Sequence, residues 1–189
     1  ADNIERAIKR GTGESDEGVA MAEIIYEGYG PGGIGIMVET LTDNKNRTVS
    51  DIRSTLSKAG GNMAENGAVA WQFEQKGVII VDVEANDAEI LALAAIDAGA
   101  DDFETYDGTL HVYSEPNSLE NIRSTLTDSE AKVSSTELSM IPNNTIMLDS
   151  KKAIQTLRLL DSLEELDDVQ KVYSNADFPE DALDNFKAS

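Results

Sequence analysis

The sequence predicts an α+β protein made of two βαββαβ-like (ferredoxin-like) modules, one inserted in the other, preceded by the last helix of a helical domain. Three observations lead there. Segments of period two alternate along the chain with segments of helical period. The run Asp51-Ile52-Arg53-Ser54-Thr55-Leu56-Ser57 recurs as Asn121-Ile122-Arg123-Ser124-Thr125-Leu126-Thr127, each copy on a helix between two strands. A seventy-residue spacing is too long for a solenoid, so the repeat points to two related β–α–β units. Finally, the elements from Val78 to Ile141 count as one βαββαβ unit, and the βαβ pieces at 34–75 and 145–174 make the second. The expected domains are a helical remnant and linker at 1–20, a discontinuous α/β domain at 21–77 plus 143–189, and an inserted α/β domain at 78–142.

Each element has its own local reason. Residues 2–10 read as a helix, with Asp2 and Glu5 placed to cap it and Gly11-Thr12-Gly13 to stop it. A polar linker follows to residue 20. The glycine-rich stretch 28–33 matches Gly-x-Gly-x-x-Gly, but a dinucleotide fingerprint needs a helix directly after its glycines. Here Ile34, Ile36, Val38 and Thr40 alternate with Gly35, Met37, Glu39 and Leu41, so the glycines form a bend into a central strand. Thr48 to Asp51 resembles a capping box for a helix that buries Ile52, Leu56 and Ala59 and ends at Gly60-Gly61. Val69, Trp71 and Phe73 alternate as the inner face of a second strand, and residues 78–83 form a third, largely buried one. Asn86 and Glu89 cap a helix that is apolar nearly all round. Asp107-Gly108 marks a hairpin. The second copy of the repeat buries Leu119, Ile122 and Leu126, and residues 133–141 form the next strand. A short strand at 145–148 precedes a helix capped by Ser150 with a stripe of Ala153, Ile154, Leu157, Leu160 and Leu163. The last strand is 169–173, and the acidic tail from Asp177 is expected to fray.

Charge is the strongest compositional fact. Fifteen Lys and Arg oppose 36 Asp and Glu, a formal net charge of −21. Taken whole, such a chain repels a polyanion, whereas nucleic-acid binders show a basic footprint. The distribution is uneven: residues 82–107 carry nine acids and no Lys or Arg, while residues 43–58 set Lys45, Arg47, Arg53 and Lys58 against Asp43 and Asp51. Two cations and two amides in Asn44-Lys45-Asn46-Arg47 crowd the start of a helix, where free N–H groups favour anions. Together with Arg53 and the Arg6-Lys9-Arg10 end, they are the residues placed to meet phosphate. Catalysis finds no support. His111 is a lone histidine pointing away from the face of Leu110 and Val112, the pairs Asp101-Asp102 and Asp167-Asp168 point apart, and no metal-ligand spacing or nucleophile elbow occurs. Trp71 and Phe73 are candidates for base stacking, with burial in a helix-covered core the favoured reading. Cysteine is absent, which fits a reducing compartment. No cofactor is expected.

Several stretches together resemble the YebC-like family of transcriptional regulatory proteins and translational activators. They are residues 2–11, Tyr26-Glu27-Gly28-Tyr29-Gly30-Pro31-Gly32-Gly33, Leu41-Thr42-Asp43-Asn44-Lys45-Asn46-Arg47-Thr48, Gly60-Gly61-Asn62 and Asp167-Asp168-Val169-Gln170-Lys171-Val172-Tyr173. The resemblance implies a helical first domain followed by two α/β domains, and a cytoplasmic, non-enzymatic regulator of gene expression. It implies DNA as the partner in one description of the family and RNA on the ribosome in another. A small-molecule effector module is a third reading, by analogy of fold alone. Members also begin with a basic helical region of which this chain retains only what looks like the last helix, so the chain's own affinity for nucleic acid is an open expectation.

Overall fold

The computed structural model describes residues 20–84 and 87–188. The helix expected at 2–10, with Arg6, Lys9 and Arg10, and the Asn86 cap lie outside the described residues. The chain divides into two compact units, Ala1–Phe73 with Pro142–Ser189, and Glu74–Ile141.

The first unit begins with an antiparallel hairpin of β1 (Ala22–Tyr29) and β2 (Gly35–Thr42), in which Ala22 faces Thr42 and Tyr29 faces Gly35. A single 3-10 turn, Pro31–Gly33, joins them. It needs its glycines: Gly32 and Gly33 adopt φ of +75° and +81°, a region that side chains with a Cβ avoid. Helix α1 (Lys45–Lys58) and strand β3 (Asn62–Ala64) follow. The sheet is completed from the far end of the chain by β9 (Val169–Ser174), in the order β3-β1-β2-β9. Helix α4 (Ser150–Glu164) and a terminal helix α5 (Glu180–Ala188) complete the layer, and β8 (Ile146–Met147) pairs in parallel with β10 (Ala176–Asp177). The core of this unit joins Ile34, Ile36 and Val38 to Ile52 and Leu56 of α1 and to Ala153, Leu159 and Leu163 of α4. Strand β2 is buried on both faces. Its reverse side is closed by Val69, whose Cγ1 would lie 2.7 Å from a Cβ added at Gly35.

The second unit runs β4 (Phe73–Asp82), α2 (Ala88–Asp97), β5 (Asp102–Tyr106), β6 (Thr109–Ser114), α3 (Leu119–Asp128), β7 (Lys132–Pro142). Its sheet order, β5-β6-β4-β7, is that of the expected βαββαβ module. Ile79, Val81, Leu110 and Val112 meet Ile122 and Leu126 in its core. The repeat therefore has a packing basis: Leu56 is 1% exposed and Leu126 is fully buried, each beneath its own sheet.

Several local expectations are corrected. Helix α1 begins three residues before Thr48, because Asn44 caps it by accepting the Arg47 N–H at 3.1 Å. The alternation of Val69, Trp71 and Phe73 is a 3-10 turn, Ala70–Gln72, rather than a strand. Val69 and Phe73 are buried, but Trp71 is 73% exposed, its indole N–H donating to the Ala68 carbonyl. The edge strand of the first sheet is instead β3, and β1 supplies a strand where only the approach to a bend was read. Helix α4 is capped by Asp149, not Ser150, and buries Thr156 and Leu159 where Leu157 and Leu160 were expected to be central. Helix α2 buries one side only. The acidic tail is not frayed throughout, since α5 buries Ala182 against α4.

Candidate nucleic-acid interface

The residues picked out around position 47 are brought together, though not as a free cationic turn. Lys45 and Arg47 both lie in the first turn of α1, which holds no acid. Lys45 is exposed and carries no carboxylate partner among the described residues. Arg47 is engaged. Its Nη2 donates to Asp43 Oδ1 and to Asp168 Oδ1, both at 2.9 Å, and its Nε donates to Asp168 Oδ2 at 3.2 Å. Asp168 also sits 2.8 Å from the hydroxyl of buried Thr48, which in turn contacts Thr42. Burial alone would raise the Asp168 pKa, but the bonds from Arg47 and Thr48 outweigh it and hold the carboxyl below its ordinary range. The fork geometry fixes the start of α1 to the strand end at Asp168. Arg47, expected from sequence to meet phosphate, is thus an anchor whose charge is largely answered by Asp43 and Asp168.

Arg53 is different. In the repeat, Arg123 donates to Glu120 three residues before it. In α1 the corresponding residue is Ser50, and Arg53 stays exposed with no ion pair among the described residues.

The structure adds residues that sequence reasoning missed. A cleft of about 730 Å³ opens between α1 and α4, with Thr55, Lys58, Gln155 and Ser162 among its polar lining and with Lys151 and Arg158 on its α4 side. No carboxylate pairs with Lys58, Lys151 or Arg158 among the described residues. Gln155 donates to the Ala59 carbonyl at 2.7 Å and ties the two helices together. Lys151 and Lys152 also occupy the first turn of α4, where exposed N–H groups favour negative charge and disfavour these cations. Three exposed cations lining one cleft, with no carboxylate partner among the described residues, can hold phosphate oxygens without desolvating a buried charge. The signal in sequence was the pair Lys151-Lys152 with Arg158 two turns on, but nothing local says that Lys58 joins them.

Glu27 is the other functional-looking group. It is 4% exposed and forms no salt bridge among the described residues. Its carboxylate accepts the N–H groups of Gly67, Val69 and Ala70 at 2.6, 2.8 and 2.6 Å. Burial pushes its pKa up, but these three bonds pull it below the usual carboxylate range. With every oxygen turned to backbone donors, it clasps the 65–72 segment and is not free to act on a substrate. His111 bonds Thr109 at 3.0 Å. Among the described residues no group of three His, Cys, Asp or Glu could hold a metal ion, and no helix is long and apolar enough to cross a membrane.

Fold and site together define a two-unit α+β protein with a cleft lined by Lys58, Lys151 and Arg158 on an otherwise acidic chain. Comparison with known proteins carries this further: a family model described as the second and third domain of TACO1/YebC matches residues 21–176, and the chain belongs to that family. A probable transcriptional regulatory protein of Dehalococcoides mccartyi is 50% identical over 186 residues, covering 98% of this chain and 74% of the relative. A probable transcriptional regulatory protein of Halothermothrix orenii is 47% identical over 186 residues, covering 97% and 73%. The crystal structure of a conserved hypothetical protein, Aq1575 from Aquifex aeolicus, superposes with a TM-score of 0.82 at 39% identity, covering 95% of this chain and 74% of that one.

Proposed function

We propose that the protein is a non-enzymatic, cytoplasmic regulator of gene expression that acts on DNA as a transcriptional regulator. In this reading the cleft between α1 and α4 meets the phosphate backbone. The observation that carries the reading is the convergence of Lys58, Lys151 and Arg158 on one cleft, with no carboxylate partner among the described residues. Lys45 and Arg53 extend the cationic surface of α1, Arg47 holds its first turn in place, and Arg6, Lys9 and Arg10 would add contacts of their own. The relatives' name as probable transcriptional regulatory proteins supports the same class of role.

The test is duplex binding across a salt series. Replacing Lys58, Lys151 and Arg158 with Ala should leave the melting temperature nearly unchanged, as for exposed residues. It should flatten the plot of log affinity against log salt by about 0.9 for each phosphate that is no longer neutralised. Superimposable lines for the two proteins would refute the cleft as the site that meets the backbone.

One observation favours the second reading, an RNA partner on the ribosome. Trp71 presents an indole that is 73% exposed, and unpaired RNA bases stack on such rings while paired DNA bases do not. Trp71→Ala should weaken binding to single-stranded RNA by about 1–3 kcal/mol and leave duplex binding alone. Equal affinities would remove this reading's support.

A further inference from the structure

Helix α2 has a face that the described residues of its own unit leave exposed. Toward the sheet it buries the small residues Ala92 and Ala95. On the opposite side stand Ile90, Leu93 and Ile96, exposed by 67%, 57% and 38%. Spaced at i, i+3 and i+6, they form one stripe along the helix. Phe103, 38% exposed, lies on the edge strand β5 opposite buried Val112 and so on the helix-bearing side of the sheet, against which α2 packs. Single exposed apolar residues are ordinary, but a continuous stripe marks an interaction surface.

Charge decides what the surface takes. Residues 82–107 contain nine Asp and Glu and no Lys or Arg, and exposed Glu89 and Asp97 flank the stripe on α2 itself. A second copy of the chain would bring these acids against their own kind, and nucleic acid or an anionic membrane would be repelled in the same way. The complement is a helix with apolar residues at i, i+3, i+4 and i+7 and cations on both flanks. We propose that the outer face of α2 is a docking surface for a basic amphipathic helix of a partner protein. Apolar contact along the stripe gives the affinity, and the flanking acids give approach and orientation.

The experiment uses the whole chain and a fluorescent 18-residue probe peptide whose leucines fall on one helical face and whose other positions are lysine. A peptide of the same composition, scrambled so that no apolar face forms, serves as control. The helical probe should bind about tenfold more tightly than the scrambled one, as expected when apolar anchors carry most of the energy. Leu93→Gln with Ile96→Gln should remove that difference, and Ile90→Gln alone should reduce it; both variants alter exposed residues, so their melting curves should match the parent. Glu89→Gln with Asp97→Gln should weaken binding and lower its salt sensitivity. Equal binding of the two peptides, or a helical probe indifferent to the Leu93 and Ile96 changes, would overturn the proposal. So would a concentration-dependent dimer in sedimentation that the same changes abolish, because the stripe would then be covered by a second copy.

Discussion

Glu27 offers the sharpest test of what holds the first unit together. Its Oε1 accepts the N–H groups of Val69 and Ala70, and its Oε2 accepts that of Gly67, which adopts φ of +91°. Changing Glu27 to Gln keeps the shape and leaves one carbonyl oxygen for the Val69 and Ala70 pair. The amide NH₂ then faces the Gly67 N–H, donor against donor. An unmet buried donor costs about 1–3 kcal/mol, and loss of charge assistance on the other two bonds adds to it, so a total of about 2–4 kcal/mol is expected. Denaturant unfolding measures the loss, and amide exchange at residues 67, 69 and 70 shows whether the segment opens locally. The pH dependence has a definite sign. The folded pKa of Glu27 is depressed, so its contribution is present above the unfolded value of about 4.3 and is lost as pH falls through the folded one. The stability gap between parent and Glu27→Gln should therefore narrow as the solution is acidified below that range. A change within about 0.5 kcal/mol at neutral pH, typical of a surface position, would refute the clasp.

The other stability predictions concern buried groups. Leu56→Ala and Leu126→Ala should each cost about 2–5 kcal/mol in equilibrium unfolding, since both side chains are sealed under a sheet; a small effect at either site would break the structural equivalence of the repeat. The hydroxyl of Thr156 is buried without a hydrogen-bond partner among the described residues, so Thr156→Val, which keeps the shape, should raise stability by about 1 kcal/mol. A loss of stability there would mean that the hydroxyl is satisfied.

The sequence made the second unit legible because its signals are local. Asp107-Gly108 forms its turn with φ of +47° and +75°, and the alternation of Leu110 and Val112 continues into a buried face. The first unit was harder because its sheet is assembled from distant parts. Strand β3 is three residues long and gains its place by pairing with Gly28 and its neighbours, and β9 reaches β2 from the far end of the chain. Periodicity also misled at Trp71: alternation of Val69, Trp71 and Phe73 reflects two residues buried from a turn that Glu27 holds, and that carboxylate is forty residues away. The ion pairing of Arg47 was hidden for the same reason. Its principal partner, Asp168, is 121 positions distant, and no local pattern announces such a pair. The cleft shared by Lys58 and Arg158 was invisible on the same grounds.

Charge segregation is what would let a strongly acidic chain meet phosphate in the proposed way. Residues 74–141 hold fifteen Asp and Glu against Lys76, Arg123 and Lys132. Lys76 is taken up by Asp101 and Glu115 at 2.8 and 3.1 Å, and Arg123 by Glu120, so the second unit has little positive charge left to offer a polyanion. Among the described residues the other nine cations belong to the first unit. There, Arg47 answers Asp43 and Asp168, whereas Lys58, Lys151 and Arg158 line one cleft with no carboxylate partner among the described residues. At physiological salt the Debye length is about 8 Å, so each local surface is felt ahead of the distant net charge. The value of −21 therefore bears on solubility and on long-range approach, while docking is governed by which few side chains stand unpaired at the point of approach.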